Sequence, residues 1–161
     1  MIPEYIIFPG IQKHWYSHAN QSKENEKMKL IQYVTAHIAL MTLMKKEFPY
    51  AASFKLVDLK RRIAPKVEFY TAEEQKLVRE YAKRDDEGSP IINGDRFDCR
   101  GETPEEVSAN ARAYEKKKLE LCSVEDEEEQ AKIKLKLPEN VCISPEVVEA
   151  LDAFIEFEVT E

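Results

Sequence analysis

His14 and His18 stand four residues apart in His-Trp-Tyr-Ser-His. On a helix that spacing puts both imidazoles on one face, where they can ligate zinc. Trp15 occupies the place where such a motif carries its glutamate, and no carboxylate lies nearby, so surface or packing histidines are expected. His37 falls on an apolar helical face and reads as a core histidine rather than a base. Asp85, Asp86, Glu87, Asp95 and Asp98 crowd one short stretch. Paired carboxylates can hold a divalent cation, but Gly88 falls at the wrong offset for a calcium loop, and solvated charges are expected. No serine or cysteine has a histidine-and-acid partner for nucleophilic catalysis. Four scattered glycines build no phosphate loop. No catalytic residue, cofactor or metal site is expected, and the chain reads as a non-enzyme.

The charged clusters are the next candidates. Lys60-Arg61-Arg62 and Lys116-Lys117-Lys118 are basic, but no aromatics interleave them and no groove-reading motif surrounds them. Glu125, Asp126, Glu127, Glu128 and Glu129 form an unbroken acidic run. Such a run is usually a solvated loop or helix end, and it can also imitate a phosphate backbone. The net charge of −7 argues against direct binding to nucleic acid, which needs a basic face. An acidic protein can instead dock on a basic surface, including one that normally holds nucleic acid.

These residues need elements to position them. At 161 residues the chain is long enough to bury a core without a staple. Cys99, Cys122 and Cys142 are odd in number and widely spaced, which predicts reduced thiols in a cytosolic protein. No apolar run approaches a membrane span, and the first ten residues lack the positive cluster of a signal peptide.

Residues 1–27 read as an N-terminal arm. Ile2, Tyr5, Ile6, Ile7, Phe8, Ile11 and Trp15 make it too apolar for free disorder, and a short strand near Tyr5–Phe8 is expected. Residues 28–161 read as a single domain. A broad apolar arc built on Ile31, Val34, Ile38, Met41 and Met44 predicts a helix over Leu30–Phe48, ended by Pro49. A second helix is predicted over Ala51–Arg62 and broken at Ala64-Pro65; a third follows over Val67–Arg84, with Gly88 as a stop signal. Asn93-Gly94-Asp95, between Ile91-Ile92 and Arg96-Phe97, predicts a small β-hairpin. Thr103-Pro104-Glu105-Glu106 predicts a capped helix start, with the helix running to about Cys122. Ile133, Leu135 and Leu137 alternate with lysines and predict a half-buried strand, which Cys142-Ile143 is expected to extend. Ser144-Pro145 caps a last helix whose apolar stripe is Val147, Val148, Leu151, Phe154 and Ile155.

From Met28 onward the chain resembles a family of small proteins of unassigned function from tailed phages and prophages of Gram-positive bacteria, some of them catalogued as tail or virion proteins. The residues carrying this are Met28-Lys29-Leu30, Glu47-Phe48-Pro49, Phe54-Lys55-Leu56, Phe69-Tyr70, Glu73-Glu74, Tyr81–Gly88, Ile143-Ser144-Pro145 and Leu151–Phe157. They span about four-fifths of the chain. The arm departs from the family pattern: it is an addition, or Met28 is the ancestral start. The resemblance implies a phage or prophage origin and transfers no active-site residues.

The expected fold is helix-rich α+β: a helical hairpin or bundle with a small β-hairpin, one further strand and the arm. The expected function is a protein–protein contact with a phage structural protein, in virion or tail morphogenesis, in the host cytoplasm or the particle. The alternative is a counter-defence or host-takeover inhibitor whose acidic surface blocks a nucleic-acid-binding host protein; a metal-dependent enzyme ranks last. Candidate contact residues are Tyr5, Ile7, Phe8 and Trp15 in the arm, which also offers a route to homo-oligomers, and Glu125, Asp126, Glu127, Glu128 and Glu129.

Overall fold

Buried apolar positions recurring every three or four residues set the architecture. In the computed structural model the described residues are 27–158. The order is β1 (Met28–Lys29), α1 (Leu30–Leu43), α2 (Tyr50–Tyr81), α3 (Pro104–Cys122), β2 (Glu125–Asp126), β3 (Ile133–Lys136), α4 (Pro145–Leu151) and β4 (Ile155–Glu158). The fold is helix-rich α+β. No helix among the described residues is long and apolar enough to cross a membrane. The described residues pack as two compact units, one from Lys27–Glu73 with 120–158, the other from Glu74–Leu119; α2 and α3 contribute to both.

In the first unit, α1 turns Tyr33, Ala36, Leu40 and Leu43 onto Leu56, Leu59, Ile63 and Val67 of α2. Leu135, Leu151, Phe154 and Ile155 complete this core. The Tyr33 and Phe154 rings meet edge to face, with centroids 5.5 Å apart, the arrangement their ring quadrupoles favour. Strands β1 and β2 pair antiparallel, Met28 with Asp126 and Lys29 with Glu125. Strands β3 and β4 pair parallel, Ile133 with Ile155 and Leu135 with Phe157, with α4 as the crossover between them.

In the second unit, Tyr114 receives Tyr81 and Phe97 edge to face, at centroid distances of 6.1 and 5.0 Å. The tight turn forms at Gly94-Asp95, closed by Asn93 and Arg96, with Gly94 at φ 65°. The arms of this small hairpin run back to the chain leaving α2, pairing Arg84 with Pro90 and Ala82 with Cys99.

Several expected boundaries move. Pro65 does not separate two helices: α2 is continuous across it. Ile63 and Val67 straddle the proline on one buried face, so burial holds both halves in one register against the lost N–H bond. α1 ends at Leu43, where Lys45 and Lys46 N–H groups bond back to the Thr42 and Leu43 carbonyls. α2 ends at Tyr81 because Ala82–Arg84 is drawn into bridges. Phe154 and Ile155 leave the last helix, which stops at Leu151; Ile-Glu-Phe-Glu instead alternates as β4 beside β3. Cys142-Ile143 lies in a loop, and the sheet grows through β4. Thr103 Oγ1 accepts from Glu106 N–H at 3.3 Å, as expected, but the Glu106 carboxylate reaches the Glu102 amide at 2.8 Å.

Candidate interaction site

The head of α2 presents aromatic side chains to water. Pro49 supplies the carbonyl for the first helical bond, from Ser53 N–H at 2.9 Å. Leu56, Leu59, Ile63 and Val67 fix which face is buried. Phe54 stands two residues before Leu56, about 160–200° around the helix at 100° per residue, so it points away from the core. Tyr50 is 97% exposed and Phe54 71%. Residues four apart are neighbours on a helix surface, so the two rings make one patch. Arg61, also exposed, is eleven residues past Tyr50, about three turns, and returns to the same face. Exposed single apolar residues are ordinary; two large aromatics side by side are typical of contact anchors.

The acidic run is brought to a different place. Asp126 is on β2 with a side chain only 9% exposed. Its Oδ2 accepts from the Tyr33 hydroxyl at 2.6 Å, and its Oδ1 from Lys66 Nζ at 3.1 Å and the Glu128 amide at 3.2 Å. Lys66 also lies 3.3 Å from Glu128, and Lys27 is 2.6 Å from Glu127. Burial pulls the Asp126 carboxyl upward, but the bonds from Tyr33, the Glu128 backbone and Lys66 outweigh it, and the net shift is downward. Burial and the same bond to Asp126 push the Tyr33 phenol well above its usual range. Burial lowers the Lys66 ammonium, while Asp126 and Glu128 raise it by more. The run is therefore not uniformly solvated: Asp126 serves as an internal anchor, while Glu125, Glu127, Glu128 and Glu129 are exposed.

Tyr5, Ile7, Phe8, Trp15, His14 and His18 lie outside the described residues. His37 is buried in α1; burial first, then the Lys60 charge, lowers its pKa. Asp85 Oδ1 accepts from the Glu87 and Ser89 amides at 3.0 and 2.8 Å, so it organises its own loop. Among the described residues no three His, Cys, Asp or Glu side chains are placed to hold a metal. Cys99, Cys122 and Cys142 are not joined in disulfides, and Cys122 Sγ lies 3.5 Å from the Tyr70 hydroxyl. Arg62 donates to the Ala131 carbonyl at 3.2 Å. Lys117 lies 2.8 Å from Glu80 and over the Tyr81 ring, and Lys118 2.8 Å from Glu74 and over Tyr114. These lysines support structure.

The Tyr50–Phe54 pair was absent from the sequence-based candidates. Its signal was present as two aromatics at i and i+4, off the stripe of Leu56, Leu59 and Ile63. No family model matches this chain, and neither does any curated protein or solved structure.

Proposed function

We propose that this chain is a non-enzymatic interaction protein of phage or prophage origin, working in virion or tail morphogenesis and docking through the aromatic head of α2. The phage origin rests on the sequence resemblance. The docking rests on one observation, the exposure of Tyr50 and Phe54 on adjacent turns of a helix whose other face is locked in the core. Aromatic side chains bury large areas at low entropic cost and dominate contact energies. The host cytoplasm or the assembled particle is the setting this role requires.

The test compares wild-type protein with Tyr50→Ser/Phe54→Ser in capture from infected-cell lysate and purified virions. A defined phage protein is expected with wild type and lost with the variant, while the circular dichroism spectrum and Tm stay unchanged. Equal capture by both proteins sinks the docking face. The counter-defence alternative has weaker support, because Lys27 and Lys66 already neutralise part of the acidic run. Salt-sensitive capture of a nucleic-acid-binding protein, abolished by Glu125→Lys/Glu129→Lys, is the result that favours it.

A further inference from the structure

The stretch from Lys45 to Arg62 carries six basic side chains and two acidic ones, in a chain whose net charge is −7. Lys45, Lys46 and Arg61 are exposed: the two lysines lie in the turn that precedes Tyr50, and Arg61 lies about two to three turns farther along the face that carries Tyr50 and Phe54. The same unit carries the complement. Glu125, Glu127, Glu128 and Glu129 are exposed, and Val124 ahead of them is a half-exposed apolar side chain. Lys27 and Lys66 leave this edge with a surplus of negative charge over five consecutive acidic positions.

The two patches are held apart. Lys66, which grips Asp126, follows Tyr50 by sixteen residues, which is about 24 Å along α2 and about 160° around it. One chain therefore does not cover its own aromatic head with its own acidic edge. A single two-fold contact does not bring both patches of both copies together either, because they face nearly opposite sides of the helix. Successive copies satisfy both patches when the acidic edge of one meets the basic, aromatic head of the next, a heterologous contact that repeats as an open chain or a ring.

We propose that the occupant of the Tyr50–Phe54 head is the Val124–Glu129 edge of a second copy of this chain, giving head-to-tail assembly driven by charge and anchored by the two rings. This rests on the proposed docking role of Tyr50 and Phe54 and names their partner. Exposed charge pairs are weak singly and screened by salt, so the association is concentration-dependent and strongest at low ionic strength.

Sedimentation velocity on the full chain tests it, over a concentration series at low and high salt. The expected result is a mass that climbs past that of a dimer at low salt and falls back at high salt. Lys45→Glu/Lys46→Glu and Glu125→Lys/Glu129→Lys each weaken association by about tenfold, and Tyr50→Ser/Phe54→Ser does the same without changing net charge. Mixing the two charge-reversed proteins restores assembly, since each then offers the charge the other lacks; this holds misfolding apart from lost contact. A wild type that stays monomeric, a closed dimer, or a mixture that fails to associate overturns the inference. If the wild type is monomeric yet Tyr50→Ser/Phe54→Ser still loses a captured phage protein, self-assembly falls and the docking face stands. If that variant changes neither measurement, both fall.

Discussion

The Tyr33 hydroxyl donates a 2.6 Å hydrogen bond to the Asp126 carboxylate, joining residues 93 positions apart. Through it α1 holds β2 in place, and Lys66 of α2 closes on the same carboxylate from another side. This small polar cluster ties three elements together at the margin of the apolar core.

Replacing Tyr33 with Phe keeps the ring that meets Phe154 and removes only the donor. A hydrogen bond to a charged acceptor contributes about 1.5–3 kcal/mol, and a loss of that size is expected in urea denaturation. The phenol also resists ionisation. In an alkaline absorbance titration Tyr33 should ionise after the bulk of the seven tyrosines. Its folded pKa lies above the unfolded one, so its contribution is complete below about pH 10 and fades as pH rises beyond it.

Asp126 runs the other way. Its folded pKa lies below the ordinary aspartate value of 3.8, so the folded state holds fewer protons than the unfolded chain across that interval. The stability it supplies is present above about pH 4 and is lost as pH falls through the folded value. Asp126→Asn should be less stable than wild type at neutral pH and should flatten this acid limb, as read from denaturant midpoints at successive pH values.

His37 supplies a second pH dependence, at higher pH. Burial, then the Lys60 charge, lowers it from 6.5. The unfolded chain takes up the proton first, so stability is complete above pH 6.5 and declines as pH drops towards the folded value. His37→Leu, apolar and of similar reach, should remove that slope between neutral and mildly acidic pH; an unchanged slope places its origin elsewhere.

Pro65 sits exposed within a continuous helix. Pro65→Ala restores the amide to the helical ladder and should stabilise the protein by about 1–3 kcal/mol, less what the proline saves by restricting the unfolded chain. A higher Tm is the readout, and a lower one means that the proline's shape is needed.

Gly101 has φ 156°, and a Cβ there would lie 2.7 Å from the Val107 backbone nitrogen. Backbone on that side does not yield as a flexible side chain does. Gly101→Ala should cost about 1–3 kcal/mol, seen as a lower Tm with earlier proteolysis near the start of α3.

Legibility followed the range of the interactions. Thr103-Pro104 and Ser144-Pro145 start helices from within a single turn, and both starts appear as expected. Ile133–Lys136 forms a strand because alternation is itself the signal. Pro65 carries a local penalty that predicts a break, and burial of Ile63 and Val67 overrides it. Ile155 and Phe157 alternate as plainly as β3 does, but Val147 and Leu151 just before them carried the helical period forward across the boundary.

By itself the sequence determined the helix-rich α+β class, the capped starts of α3 and α4, the tight turn at Gly94 and the net acidity, all written in neighbouring residues. Only the tertiary structure decided that Asp126 leaves an otherwise exposed acidic run to meet Tyr33 and Lys66, and that Tyr50 and Phe54 face water while Leu56 faces the core. Local chemistry depends on residues a turn apart. Burial and pairing depend on what the chain brings alongside from far away, and neither composition nor period records which partner arrives.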